Sequence, residues 1–209
     1  MEITTIGIDL AKSVFAVSCA DAHGKVVLRK TLRRAQVLQF LRQQPPSLIG
    51  MEACGGAHHW ARAIGALGHP VRLMSPALVA PYRKDSKHDR NDADAICEAV
   101  RRGSMRFVAP KSVAQQDLLA LHRIRVRLLK QRIALSNQIR ALLHERGVTM
   151  RTGAAGLRAG VATALADESN QELSGALREL LGELLDELRG LELRLKRCEP
   201  APRARGHQR

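Results

Sequence analysis

No charged-then-apolar leader opens the chain, and no apolar run approaches the ~20 residues that a membrane-spanning helix needs. A soluble, intracellular protein with no membrane partner is expected. The four cysteines, at 19, 54, 97 and 198, form no CxxC pair or other zinc-like spacing, so they read as buried or free thiols. The single tryptophan, Trp60, is spaced with Ile64 and Leu67 along a helix and reads as core, not as a base-stacking platform. Acidic residues are nearly missing from one quarter of the chain. Between Arg101 and Arg151 only Asp117 and Glu145 face twelve Lys or Arg residues.

What is abundant is positive charge. The net charge is +14 and the isoelectric point about 10.8, which favours a polyanionic partner. The balance reverses over 167–199, where nine acids outnumber five bases. A basic arm followed by an acidic one points to division of labour. At 209 residues there is room for one domain with a real core plus an appendage.

Residues 3–10, 13–19 and 25–32 read as three strands on short connections, with Asp21-Ala22-His23-Gly24 as a turn, and so as an antiparallel meander. A helix over 34–43, a buried strand over 47–51, a helix opened by Gly55-Gly56 and a strand over 71–74 complete a mixed α/β sheet with a helix-covered face. Residues 75–90 read as a loop, with Asn91 capping a helix to about Arg102. Beyond Pro110 the pattern becomes helical. Leu121, Leu128, Leu135 and Leu142 recur every seven residues, and glycines break the pattern over 147–160. Leu177, Leu181, Leu184, Leu188, Leu191 and Leu195 then follow heptad spacing. Two outcomes suit these seams, a hairpin packing on itself and a coiled coil that dimerises the protein. The expected division is a domain over 1–110, a helical segment over 111–198 and a disordered tail over 199–209.

Four carboxylates stand in settings that suit a divalent cation. Asp9 ends the apolar run Ile6-Gly7-Ile8, Glu52 ends Leu48-Ile49-Gly50-Met51, and Asp89 and Asp92 lie three apart at a helix start. Mg²⁺ takes oxygen ligands, and two such ions about 4 Å apart can activate the attacking oxygen and stabilise the leaving one in phosphodiester cleavage. Lys87 and Arg90 beside them suit a phosphate. Each acid also has a structural reading: Asp9 can simply end a strand, and Glu52, Asp92 and Asp94 can be acids favoured at helix N-termini. His58 and His59 are given no ligand role.

Taken together, Ile6-Gly7-Ile8-Asp9-Leu10-Ala11-Lys12, Met51-Glu52-Ala53-Cys54-Gly55-Gly56 and Lys87-His88-Asp89-Arg90-Asn91-Asp92-Ala93 resemble the DEDD transposases of bacterial insertion sequences, the group of the Piv/MooV invertase. The likeness runs from residue 3 to about 195. It implies an RNase H-like (RuvC-type) mixed sheet with flanking helices, followed by an α-helical coiled-coil segment. It also implies a catalytic metal site (Mg²⁺ or Mn²⁺) of Asp9, Glu52, Asp89 and Asp92, in a cytoplasmic, nucleoid-associated bacterial protein. Members are similar to recombinases guided by a structured RNA. The implied partners are therefore DNA, a guide RNA and further copies of the chain, with Lys87, Arg90, Arg123, Arg125, Arg127, Lys130 and Arg132 on the phosphates. Family members continue into a domain bearing a nucleophilic serine, whereas no serine follows Ser174 here, so a truncated transposase is expected. The alternatives are a stand-alone junction nuclease and a non-catalytic dimeric nucleic-acid-binding remnant. Actin-like sugar kinases share the Gly-Ile-Asp opening, but no later glycine-rich phosphate loop supports them.

Overall fold

The computed structural model describes residues 2–83 and 89–199, with Asp89 and Arg90 described by backbone alone. Lys87 and the expected tail beyond Glu199 lie outside the described residues. The chain divides into two compact units, Met1–Val113 and Ala114–Arg209.

In the first unit, six strands form one sheet: β1 (Thr5–Asp9), β2 (Val14–Ala20), β3 (Val26–Arg33), β4 (Leu48–Glu52), β5 (Val71–Met74) and β6 (Phe107–Val108). Their order is β3-β2-β1-β4-β5-β6. The first three form the antiparallel meander that their short connections require. At the β2–β3 turn, Asp21 Oδ1 accepts the backbone N–H of His23 and of Lys25, each at 3.0 Å, and Gly24 takes a φ of 86°. Strands β4 and β5 run parallel to β1, because helices α1 (Val37–Arg42) and α2 (Ala57–Gly65) carry the crossovers.

Side-chain alternation gives the two faces different jobs. Ile6, Ile8, Ile49 and Met51 are fully buried on one face, packed with Phe40 and Leu41 of α1 and Trp60 and Ile64 of α2. Trp60 stands edge-on to Phe15 with ring centroids 5.0 Å apart, so it is core as expected. The other face of β1 and β4 presents Thr5, Gly7 and Asp9 beside Leu48, Gly50 and Glu52.

Helix α4 (Asp89–Ala99) crosses that second face. It comes so close to β1 that a Cβ on Gly7 would overlap the Ala93 carbonyl oxygen and the Cys97 backbone. A Cβ on Gly50 would stand 2.8 Å from Val100 Cβ. Two polar contacts fix the helix in place. The hydroxyl of fully buried Ser18, opposite Gly7 on β2, donates to Asp94 Oδ1 at 2.6 Å. Arg29 of β3 grips the same carboxylate with two neighbouring donors of its fork, Nε to Oδ2 at 3.0 Å and Nη2 to Oδ2 at 2.8 Å.

Two expectations need correction, and one short strand has no signal in the sequence. The stretch 75–90 is not all loop: Ser75 precedes a short helix α3 (Pro76–Val79), with proline in the first turn, where its missing N–H costs nothing. Helix α4 begins at Asp89, so Asn91 lies inside its first turn and is not its cap. Strand β6, only two residues long, carries no alternation from which to read it.

The second unit contains α5 (Val113–His144), α6 (Gly153–Ala166) and α7 (Gly175–Arg197). The glycines over 147–160 do not all break helix. Gly156 and Gly160 sit within α6 because a Cβ at either would strike Arg151 or Met150 of the preceding segment. Leu128, Leu135, Ile139 and Leu143 of α5 pack with Leu157 and Val161 of α6 and with Leu181, Leu185, Leu188 and Leu191 of α7. Heptad leucines Leu177, Leu184 and Leu195 are partly buried around this core, and Leu121 is exposed. Arg178 clamps the α6–α7 connection, spending its Nε–H and both amino groups on the carbonyls of Ala164, Leu165, Asp167, Asn170 and Leu173.

Two substitutions test how α4 is held. Gly7→Ala should destabilise the protein by about 1–3 kcal/mol or more, as overpacking against backbone does. Gly65→Ala, at an exposed α2 position with open space around it, should stabilise by roughly 0.5–1 kcal/mol. Urea midpoints at constant slope decide, and a Gly7→Ala chain as stable as the parent would mean that α4 does not press on β1. Asp94→Ala should cost about 1–3 kcal/mol, chiefly from the Ser18 hydroxyl left buried without a partner. Arg29 is half exposed and its share is screened. An unchanged midpoint for Asp94→Ala would remove this anchor from the account.

Candidate metal centre and basic helix face

Parallel strands β1 and β4 are neighbours, with Ile8 opposite Met51, so the next residues, Asp9 and Glu52, end adjacent strands at the same edge of the sheet. This is the carboxyl edge, at the point where the chain switches from building one side of the sheet to building the other. Open α/β sheets bind ligands at such a point. Both acids lie on the α4 face because each stands two residues beyond a glycine of that face, Gly7 or Gly50. Cys54 reports the same neighbourhood. Burial pushes its thiol pKa up, and the charges of Glu52 and Asp9 push in the same direction.

Asp92 joins them from the first turn of α4 and is 6 % exposed. What links it to Glu52 is Arg83, which follows the 3₁₀ turn Ala80–Tyr82. Arg83 Nη2 donates to Glu52 Oε1 at 3.2 Å, while Nε lies 2.7 Å from Asp92 Oδ1. The second contact is a charge contact only, because Arg83 Nε and Asp92 Oδ1 are buried without an aligned hydrogen bond. Arg83 was not singled out in the sequence, where nothing but its basic character marks it.

The donor chemistry fits a hard divalent cation: carboxylate oxygens from two strand ends and one helix, with a buried Asp92 oxygen that no donor serves. The observed positive charge between Glu52 and Asp92 is the Arg83 guanidinium. Among the described residues, no three His, Cys, Asp or Glu side chains converge as a ligand set. Asp89 lies on α4 one turn before Asp92, but its side chain and that of Arg90 lie outside the described atoms, as does all of Lys87.

The cleft of about 410 Å³ beside α4 is not this centre. It is lined by Arg29, Asp94, Glu98 and Arg102 among others, and includes none of Asp9, Glu52 and Asp92. Arg29 and Arg102 are already paired there, with Asp94 and Glu98.

In the second unit, Arg123, Arg125, Arg127 and Lys130 of α5 are exposed and Arg132 half-buried. Among the described residues none of the five pairs with a carboxylate; Arg127 donates to Gln131. At 100° per residue, Arg123 and Lys130 lie on the face opposite buried Leu128 and Leu135 with Arg127 at its edge, whereas Arg125 and Arg132 flank the buried seam. No helix of the described residues is long and apolar enough to cross a membrane.

The chain is 50% identical over 200 residues to a probable family 20 transposase of Pseudomonas aeruginosa, covering 95% of this chain and 59% of the relative. It is 48% identical over 153 residues to the transposase of insertion sequence element IS1328 of Yersinia enterocolitica, covering 73% and 46%. It is 49% identical over 153 residues to the transposase of element IS1111A of Coxiella burnetii, covering 73% and 42%. The chain thus spans about half the length of the curated relatives it matches. Among solved structures, the polyphosphate/ATP-glucomannokinase of Arthrobacter sp. strain KM aligns at a TM-score of 0.29 and 20% identity, over 38% of this chain and 46% of that one, which carries no argument. The pattern of the IS110-type DEDD transposases matches residues 6–146, and the chain belongs to that family.

Proposed function

We propose that this chain carries the metal-dependent phosphodiester-cleaving centre of an insertion-sequence transposase, on an RNase H-like (RuvC-type) domain, together with a basic helix that holds nucleic acid. One observation carries the reading: Glu52 and Asp92 meet around the Arg83 guanidinium at the carboxyl edge of the sheet, where Asp9 ends the neighbouring strand. The order β3-β2-β1-β4-β5, with β2 antiparallel to the others, supports the RNase H-like assignment.

Asp9 and Glu52 offer oxygens from strand ends and Asp92 from the first turn of α4, and the family likeness assigns Asp89 to the same site. Mg²⁺ or Mn²⁺, if held by these four, would supply Lewis acidity to the phosphodiester and an activated oxygen nucleophile. Lys87 and Arg90, which flank Asp89 in the sequence, would neutralise phosphate charge. Arg123 and Lys130 on one face of α5, with Arg127 at its edge and Arg125 and Arg132 beside the buried seam, contact phosphates and contribute affinity without reading sequence. That chemistry serves DNA and a structured guide RNA alike. Pairing of two chains, as the family likeness implies, would use apolar positions exposed on α5, such as Leu118, Leu121 and Ile124, because the seam leucines Leu128, Leu135, Leu181, Leu188 and Leu191 are buried within the unit's own core.

The test is cleavage of linear and branched DNA by the 209-residue chain in Mg²⁺, beside Asp9→Asn. The expected result is metal-dependent product that Asp9→Asn loses, with DNA binding equal in both and weakening as salt rises. Salt-sensitive binding with no product in any divalent metal would reduce the chain to a nucleic-acid-binding module.

A further inference from the structure

Two arginines meet carboxylates on or beside α4, and they do so differently. Arg29 sets two neighbouring donors of its fork, Nε and Nη2, on one carboxylate, Asp94, in aligned hydrogen bonds of 2.8–3.1 Å. This is the geometry of a lasting pair. Arg83 splits its fork between two carboxylates, with one aligned hydrogen bond to Glu52 and one misaligned contact to Asp92. Its partners are the more enclosed, with side chains 13% and 9% exposed for Glu52 and Asp92 against 29% for Asp94.

Buried carboxylates this close repel one another unless a cation stands between them. A guanidinium can fill that place, but here it makes an aligned hydrogen bond to only one of the two acids. A divalent ion carries twice the charge and can take an oxygen from each acid, with water or phosphate oxygens completing its octahedron. We infer that Arg83 is a resident counter-cation of the centre, which competes with the divalent metal for Glu52 and Asp92 and is displaced when the metal binds. This rests on the assignment of Asp9, Glu52 and Asp92 to the metal centre.

Displacement leaves a guanidinium beside the site without its carboxylates. A nucleic-acid phosphate offers it the two-pronged acceptor that the split pair denied it. Metal binding and nucleic-acid binding therefore assist each other through Arg83, and by linkage the assistance is reciprocal. The arginine keeps the acids together in the absence of metal and holds metal affinity low until substrate arrives.

Calorimetric titration of Mn²⁺ into the 209-residue chain, with and without a DNA oligonucleotide, tests this on the parent, Arg83→Gln, Arg83→Lys and Asp92→Asn, each checked for folding by circular dichroism. Without DNA, Arg83→Gln should bind Mn²⁺ about tenfold tighter, equivalent to removing a competitor worth roughly 1.4 kcal/mol. Arg83→Lys keeps the charge, cannot span both acids and should fall between, so it carries the test if the glutamine variant does not fold. DNA should raise the parent's affinity more than the variants' and so narrow the gap. Equal Mn²⁺ affinity in the parent and both Arg83 variants, with binding lost in Asp92→Asn, overturns the competition and leaves the metal centre standing. A gap that DNA leaves unchanged overturns the coupling. Absence of Mn²⁺ binding in every chain overturns the metal centre and this inference together.

Discussion

Helix α4 can lie against β1 only because residue 7 has no Cβ. Its Ala93 carbonyl and Cys97 backbone occupy the space that any other side chain would take. Gly50, beside Gly7 on the neighbouring parallel strand, widens the same track. The helix that uses this track carries Asp92, and the strands that form it end in Asp9 and Glu52. A backbone-to-backbone fit under the middle of α4 thus decides whether three acids from three elements share one edge. A candidate site of this kind depends on packing a full helical turn away, because a small displacement of α4 moves Asp92 relative to both strand ends.

Electrostatics divides the acids of α4 by what holds them. Asp94 is saturated, by a buried hydroxyl and by a two-pronged arginine, and serves to fix the helix. Asp92, two residues earlier and more buried, has a carboxylate oxygen with no aligned donor. A structural acid at that depth would be expected to collect hydrogen bonds, since leaving the group unserved costs stability. The contrast separates an anchoring carboxylate from one kept available. The second unit has its own economy. Arg178 spends its donors on backbone carbonyls within the unit, whereas the arginines of the outer α5 face make no carboxylate pairs among the described residues.

Much of this was legible in the sequence where the signal is local. Period-two alternation marked β1 and a short apolar run marked β4, and strand alternation places Gly7 with Asp9 and Gly50 with Glu52 on one face. The Asp-x-x-Gly turn, the α2 start and the apolar Trp60 face were readable for the same reason. What was not legible depends on partners far away in the chain. Asp94 looked like a first-turn helix acid because Ser18 and Arg29 meet it only after the meander has formed. Arg83 looked like one more base before a basic stretch, because Glu52 lies thirty-one residues earlier. The α4 start was misplaced because Asn91 is a good cap residue by type, whereas the helix begins two residues earlier. The glycines of α6 suggested a break because the segment pressing on them, 150–151, is not visible as a neighbour until it folds back.

The most direct measurement of the central claim is diffraction from crystals grown in Mn²⁺, with data at the manganese edge. The account predicts an anomalous peak among Asp9, Glu52 and Asp92, with the Arg83 guanidinium moved out from between the two acids. Crystals showing no peak there, with Arg83 still bridging Glu52 and Asp92, would contradict it.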